Sequence, residues 1–516
     1  MTNSKSFPVG IDDMAFYVPK LYLPISTLAE KRELPYDKLN KGLGLFQMSV
    51  PDVHEDAATM AANAIASLLE RNELDPRAIG RIYLGTESAW DGAKPVASNV
   101  LEMLQTRYAS KFGKDCFLHC DVVDMTFACI AGVDALQNTV DWVMGSTDRI
   151  GLVVSTDIAQ YELGSTGEYT QGAGAVALLV RQNPRLLAFE DAWGVATDGV
   201  YDFYKPIRPV DKVELIEEVL RLAGMGHLDP YAIIDRLPEE LEITGILDEN
   251  DHYLFLSKDA PVFDGPYSNQ CYQNRIRQAL DNFRTQANRT GLISNGHSIL
   301  GRWDRVVFHL PYAFQAKRMF TEVFYLEMQR TAQATQWLKA YDLTCPVAED
   351  FESEEDFQTA YTDFLKAIAK TNEYRTFIQE KVEKGQRASS QVGNLYTASI
   401  FLSLMSTLES DWKEGNIEAG RRIGFFGYGS GSKSKVFEAV LQPEWKSVVR
   451  QFSLFDTLDD RQEIDYDTYE KLHRGQPSHS VATPQGGFAL TDVATDHEHI
   501  GTRTYEWVDE EVAVKA

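Results

Sequence analysis

A thiol, a carboxylate and an imidazole each stand at the end of an apolar run in this 516-residue chain. The thiol is Cys129, within Asp124-Met125-Thr126-Phe127-Ala128-Cys129-Ile130-Ala131-Gly132-Val133. It follows a strand-like stretch and opens a helix rich in Ala and Val. Backbone N–H groups at a helix start favour a thiolate and could hold an oxyanion on a thioester carbonyl. A buried structural cysteine would read the same way from this segment alone. The carboxylate is Glu87, within Leu84-Gly85-Thr86-Glu87-Ser88. It sits at the C-terminal end of a strand, where ligands of α/β sheets gather; a solvated loop carboxylate is the plain alternative. The imidazole is His309, within Val306-Val307-Phe308-His309-Leu310-Pro311-Tyr312. Pro311 stops the strand from continuing in a sheet centre, and a neutral core histidine is the competing reading. Asn394 precedes a helical run, where it could cap the helix or turn its amide to a substrate carbonyl.

Two glycine-rich turns are set aside as nucleotide sites. In the stretch from Gly427 to Ser434 the phosphate-loop pattern needs Gly before Lys433, and Ser432 stands there. Gly172-Ala173-Gly174 lacks the third glycine of a dinucleotide fingerprint. Both read as tight backbone packing around an active site.

The elements that must position these groups alternate between two periods. Arg81–Gly85, Ile150–Ser155 and Ala173–Val180 are strand-like. Asp56–Glu70 and Cys129–Trp142 carry apolar residues at helical spacing. A second, similar series runs from Arg305–His309 to Arg422–Gly427. This alternation predicts an α/β layered fold with two comparable halves. The uncharged stretch from Ala388 to Leu408 reads as a buried helix; its Ser, Gln, Asn and Thr argue against a membrane span. Residues 207–260 differ: between Asp211 and Ala260 stand thirteen carboxylates against four Lys or Arg, which reads as an acidic insertion with its own helix at Val213–Ala223. A second acidic run, Glu349–Asp356, precedes an amphipathic helix and suits that helix's dipole.

Bulk composition narrows the partners. With 44% hydrophobic residues the chain can bury a large core. A net charge of −26 repels phosphate backbones and anionic lipid, which argues against nucleic acid and membrane partners. Five cysteines, Cys116, Cys120, Cys129, Cys271 and Cys345, without a C-x-x-C pair, argue against a disulfide framework or a zinc site and fit reduced cytoplasmic thiols. Residues 1–9 lack the pattern of a signal peptide.

Taken together, the segments resemble the 3-hydroxy-3-methylglutaryl-CoA synthases of the thiolase superfamily. The resemblance rests on ordered matches: Met14-Ala15-Phe16-Tyr17-Val18-Pro19, Gly85-Thr86-Glu87-Ser88, Ala128-Cys129, Asp157-Ile158-Ala159-Gln160-Tyr161 and Gln171-Gly172-Ala173-Gly174-Ala175-Val176. Tyr201-Asp202-Phe203-Tyr204-Lys205-Pro206, Asp264-Gly265-Pro266, His309-Leu310-Pro311-Tyr312, Gly393-Asn394-Leu395-Tyr396-Thr397 and Tyr428-Gly429-Ser430-Gly431 follow. Asp459-Asp460-Arg461 through Tyr469-Glu470-Lys471-Leu472 also looks like the family. The resemblance implies a five-layered αβαβα fold of two similar halves: 1–206 with Glu87 and Cys129, and 261–516 with His309 and Asn394, flanking the 207–260 insertion. It implies a homodimer and acyl-CoA substrates, with no metal or organic cofactor. Cys129 would carry an acetyl group from acetyl-CoA. Glu87 would deprotonate its methyl, and His309 would donate a proton or hydrogen bond to the ketone of acetoacetyl-CoA. Asp157, Tyr161, Asp264 and Asn394 would orient the acyl groups. The usual setting is the mevalonate route to isoprenoids. The residue chemistry agrees, since a thioester stays activated for enolisation and a condensation without decarboxylation needs a positioned base.

Three departures qualify the match. Ile130 follows the cysteine where the family has an aromatic. Phe314 stands where CoA-using members carry Lys, which leaves Lys317, Arg318 and Lys205 as cations for CoA phosphate. The insertion adjoins segments that border the acyl-CoA tunnel in the family; a lid, an oligomer contact and an inert loop are all open. Phe314 also opens the rival of the same chemistry on acyl carrier protein, which the shared acidity of such carriers opposes. A thiolase would need a second catalytic cysteine, and neither Cys271 nor Cys345 has a Gly-rich setting. A decarboxylating ketoacyl synthase would not need Glu87, and a non-enzymatic scaffold would not have kept both Cys129 and Glu87.

Overall fold

The structure is a computed structural model and describes residues 7–234, 253–257, 260–294, 296–496 and 499–509. Among these residues nine strands form the central sheet. They are β1 (Val9–Tyr17), β2 (Ile79–Gly85), β3 (Asp121–Met125), β4 (Ile150–Ala159), β5 (Gly172–Gln182), β6 (Leu187–Thr197), β7 (Arg305–Phe308), β8 (Arg422–Gly429) and β9 (Lys433–Leu441). Their spatial order is β7-β8-β9-β6-β1-β5-β4-β2-β3.

The order contains a repeat. In the first half β1 lies antiparallel to β5, β5 antiparallel to β4, and β4 parallel to β2. In the second half β6 lies antiparallel to β9, β9 antiparallel to β8, and β8 parallel to β7. Only β3 lacks a counterpart. The halves meet where β1 and β6 pair over two residues, Gly10 with Ala188 and Ile11 with Leu187. The second repeat thus begins at β6, ahead of the 206/207 boundary read from sequence.

Helices complete five layers. Helix α1 (Ala57–Arg71) covers the outer face of the first half. Asp56 starts it by accepting from the Thr59 amide while its own N–H donates to Thr59 Oγ1, a reciprocal cap. Its Ala-rich sequence lets it lie flush on the sheet, with Ile65 and Leu68 fully buried. Helix α2 (Ala131–Met144) lies in the middle layer beside the pair α4 (Glu383–Val392) and α5 (Ser399–Glu414). Helix α3 (Gly265–Arg289) covers the outer face of β6, β9 and β8. Three apolar cores fill the gaps, the middle one joining Val133 and Leu136 of α2 to Ile400 and Leu404 of α5. Burial on this scale, about 25 cal/mol per Å², is the main stabilising term.

The stretch 388–408 departs from the single buried helix expected. Gly393, at φ +87°, ends α4, and the Asn394 side chain accepts from the Tyr396 amide at 2.9 Å. That local bond replaces a helical one and makes the break. In the insertion, Ile207–Asp211 and Tyr253–Ser257 pair as an antiparallel ribbon, and Asp211 caps the helix Lys212–Leu222. Residues 235–252 and 258–259 of the insertion lie outside the described ones.

Candidate active site

The two halves place Glu87 and His309 at matching points. Glu87 stands just past β2 and His309 just past β7, its counterpart. Cys129 follows β3 and precedes α2. Its turn requires Ala128 at φ +43°, an uncommon conformation for a residue with a Cβ. The same device recurs before α5, where Tyr396 takes φ +40°. Such strain costs of order 1–3 kcal/mol and marks sites where a side chain must be aimed.

The amides of Ile130 and Ala131 close the turn onto Phe127 O and Ala128 O. Those two amides are spent and are not free to serve an oxyanion. The Cys129 amide is not one of the two that close the turn.

Cys129, His309, Tyr161, Asn394 and Arg318 line one cavity of ≈ 260 Å³. The Cys129 thiol lies against the Glu87 carboxyl and is only 7% exposed. Burial first, then the Glu87 charge, pushes the thiol well above its ordinary range. The expectation of a dipole-favoured thiolate is therefore corrected: desolvation and a neighbouring carboxylate outweigh a helix start two residues away. Burial also pushes Glu87 up to about 7; the Asp157 charge raises it further, while the Lys205 charge and the Cys129 thiol pull it down. Glu87 Oε1 is buried without a hydrogen-bond partner. Burial lowers His309 to about 3, and neither ring nitrogen has a partner. The cavity wall thus carries a neutral imidazole and a protonated thiol, and behind the thiol, outside the lining, Glu87 is a carboxyl poised to exchange a proton near neutrality.

The supporting residues divide. Asp157 is fully buried and its carboxylate is spent inside the protein. It accepts from the Glu87 amide at 2.6 Å, from the Ser88 hydroxyl at 3.1 Å, and from the Thr397 amide and hydroxyl at 2.9 and 2.5 Å. It clamps the Glu87 loop to the second half and has no lone pair to spare for an acyl group. Lys205 donates to the Glu87 carbonyl at 3.1 Å and lies 4.9 Å from the Tyr396 ring centre. Its charge acts on Glu87, whose pKa it lowers. Tyr161 packs with Cys129, Ala159 and Tyr396. Asn394 lines the cavity; with its Oδ1 on Tyr396, the amide NH₂ is what it can offer. Asp264 caps α3, accepting from the Tyr267 amide at 3.0 Å, and is not part of the cavity wall.

Phe314 donates its amide to Leu43 O and carries Lys317 over its ring at 4.6 Å. Of the two cations beyond it, Arg318 lines the cavity and Lys317 does not. Ile130 is fully buried against Gly427 and Gly429. The glycine turns act as read: a Cβ on Gly429 would lie 2.6 Å from Phe127 O, and one on Gly172 2.5 Å from Val392 O. Sequence reasoning left out Tyr396, Phe203 and Phe263, aromatic neighbours of Cys129. Phe203 and Tyr396 lay inside quoted motifs, which was the available signal. Among the described residues no group of His, Cys, Asp and Glu could hold a metal ion, and no helix is long and apolar enough to cross a membrane.

Comparison with known proteins agrees with this geometry. The family model for the N-terminal part of hydroxymethylglutaryl-coenzyme A synthase matches residues 5–184, and the model for its C-terminal part matches 252–481. This chain belongs to the hydroxymethylglutaryl-CoA synthase family. The hydroxymethylglutaryl-CoA synthase of Haloferax volcanii is 30% identical over 510 residues, covering 97% of this chain and 99% of that one. The Enterococcus faecalis synthase is 28% identical, over 90% of this chain and 91% of that one. Among solved structures, MvaS in complex with 3-hydroxy-3-methylglutaryl coenzyme A superposes with a TM-score of 0.73 at 27% identity, covering 97% of this chain and 99% of that one. The fold of this family member is thus the thiolase-like one expected.

Proposed function

We propose that this chain is a hydroxymethylglutaryl-CoA synthase, condensing acetyl-CoA with acetoacetyl-CoA and water to give HMG-CoA and CoA. The observation that carries the reading is the contact between a buried thiol and a carboxyl poised near pH 7, with a neutral histidine in the same cavity. Cys129 attacks the acetyl-CoA carbonyl, and its thiol proton leaves with the departing CoA sulfur. The Cys129 amide faces the oxyanion that forms. Glu87 next takes a proton from the acetyl methyl, and the enolate carbon adds to C3 of acetoacetyl-CoA. His309, neutral as an acid of pKa about 3 must be, donates a hydrogen bond to the ketone oxygen as it gains charge. The alkoxide takes up the proton that Glu87 removed, which restores the base, and water cleaves the thioester to free Cys129 and the product carboxylate. Burial around Cys129 excludes bulk water until that last step.

Arg318 is the cation that the cavity presents to a CoA phosphate in place of the lysine replaced by Phe314. The same proposal includes a homodimer in the cytoplasm, feeding mevalonate synthesis. Its test is incubation with labelled acetyl-CoA and peptide mass spectrometry, beside an assay of acetoacetyl-CoA consumption on CoA and on carrier protein. An acetyl group on Cys129 and consumption of the CoA substrate are expected. No adduct, or turnover on carrier protein alone, sinks the reading.

A further inference from the structure

Tyr161 borders the thiol, and its backbone is held by nearby Gln171 and by His473 from a distant part of the chain. Its amide donates to Gln171 Oε1 at 2.7 Å, and its carbonyl lies 2.8 Å from His473 Nε2. A carbonyl only accepts, so the proton of His473 is on Nε2. The same nitrogen lies 3.2 Å from Gln171 Oε1. In return, the Gln160 side chain donates to the His473 carbonyl at 3.1 Å. Gln171 is oriented in turn, since its Nε2 donates to Tyr469 Oη at 2.8 Å. That hydroxyl donates to Glu168 at 3.0 Å, and Arg32 grips Glu168 with two bonds of 2.8 Å. Glu168, 1% exposed, also accepts from the Gly164 amide at 2.7 Å.

The chain of bonds runs from Arg32 near the N-terminus to the helix Tyr466–His473 near the C-terminus. Every link ends on the segment between Gln160 and Gln171, whose Tyr161, Gly167 and Thr170 line the cavity. Tyr161 itself makes an edge contact with Phe263, ring centres 5.5 Å apart, and with Tyr396 at 6.5 Å. A shift of its backbone would move the ring that faces the acylated thiol. Misplacement on the ångström scale costs orders of magnitude in a positioned reaction.

We infer that His473, with Tyr469, Gln171, Glu168 and Arg32 behind it, is a positioning residue that sets Tyr161 against the acyl group on Cys129. This rests on the synthase reading. The test compares His473→Leu, His473→Gln and Tyr469→Phe, each alone and in a Tyr161→Ala background. Measured are the condensation kcat/KM, the extent of Cys129 acetylation and the thermal midpoint. His473→Leu is expected to lower kcat/KM about tenfold with the midpoint unmoved, and His473→Gln, which restores an N–H donor at the Nε2 position, to recover it to within threefold. Tyr469→Phe should lower it about threefold. In the Tyr161→Ala background the effect of His473→Leu should shrink to less than twofold, as coupled residues do not add. The inference is overturned if His473→Gln is as impaired as His473→Leu, if losses follow the thermal midpoint, or if the full effect persists without Tyr161. Failure of the synthase reading is distinct, because the unsubstituted enzyme would then show no adduct and no condensation.

Discussion

Replacing Glu87 by glutamine should separate the two halves of the reaction and move them in opposite directions. Glu87 is buried against the Cys129 thiol, and its negative charge is one reason that thiol resists ionisation. Glutamine keeps the shape and removes the charge, so acetylation of Cys129 by acetyl-CoA should persist or quicken. Condensation should fall by about 10²- to 10⁴-fold, the usual range for a lost general base, or roughly 3–5 kcal/mol of barrier. The pH dependence carries a sign. The base is the ionised form, and the carboxyl titrates at about 7. The condensation rate should therefore rise about tenfold from pH 6 to pH 8 in the wild type and lose that limb in Glu87→Gln. Stability runs the other way. A folded pKa raised from 4.5 to about 7 means the native state holds an extra proton between those values. Stability from this group is full below 4.5 and is lost as pH rises through 7, costing roughly 3 kcal/mol above it. Glu87→Gln should thus melt higher than wild type at pH 8, with the gap closing toward pH 4.5. As a counterpart, Lys205→Met removes the cation that lowers Glu87 and should move the rate midpoint above 7. Rapid-quench labelling gives acetylation, and loss of acetoacetyl-CoA absorbance gives condensation. A glutamine variant that loses chiefly acetylation would refute the reasoning, as would a wild-type limb that survives the substitution.

His309→Ala should damage condensation more than acetylation, by about 10²-fold for a lost hydrogen-bond donor to a developing oxyanion; a loss confined to acetylation would make His309 the base of the thiol. Because burial holds His309 well below its ordinary value, it stays neutral through the working range, so the variant should not move the pH limb. Its lowered pKa also costs the wild type stability as pH falls below 6.5, and the alanine variant should lose that acid sensitivity in thermal melts. Gly429→Ala would set a Cβ 2.6 Å from Phe127 O and 2.8 Å from Ile130 N. It should push the nucleophile's turn aside and cut acetylation at least tenfold, checked by the extent of Cys129 labelling.

Much of the fold was legible because its signals are local. The apolar runs that became β2, β5, β7 and β8 end at or close to glycine, asparagine or proline, and α1 carries its cap in Asp56 and Thr59. The break between α4 and α5 was missed because one asparagine side chain replaces a backbone bond there, a competition that apolar periodicity does not register. The strand β6 was missed as the start of the second repeat because what defines it is pairing with β9, some 240 residues away.

The sequence by itself determined which groups can react: a thiol, a carboxylate and an imidazole, each delivered by the end of a strand or the start of a helix, on a repeated α/β plan. Short-range rules of spacing, capping and breaking are enough for that. The tertiary structure decided what those groups are. Burial, together with the charges of Glu87, Asp157 and Lys205, keeps the thiol protonated and raises Glu87 to about 7, and burial alone holds His309 neutral. It also turned Asp157 from a substrate contact into a clamp and Lys205 from a phosphate cation into a neighbour of Glu87. Desolvation and Coulomb interaction depend on distance in space, and a linear chain does not carry that distance.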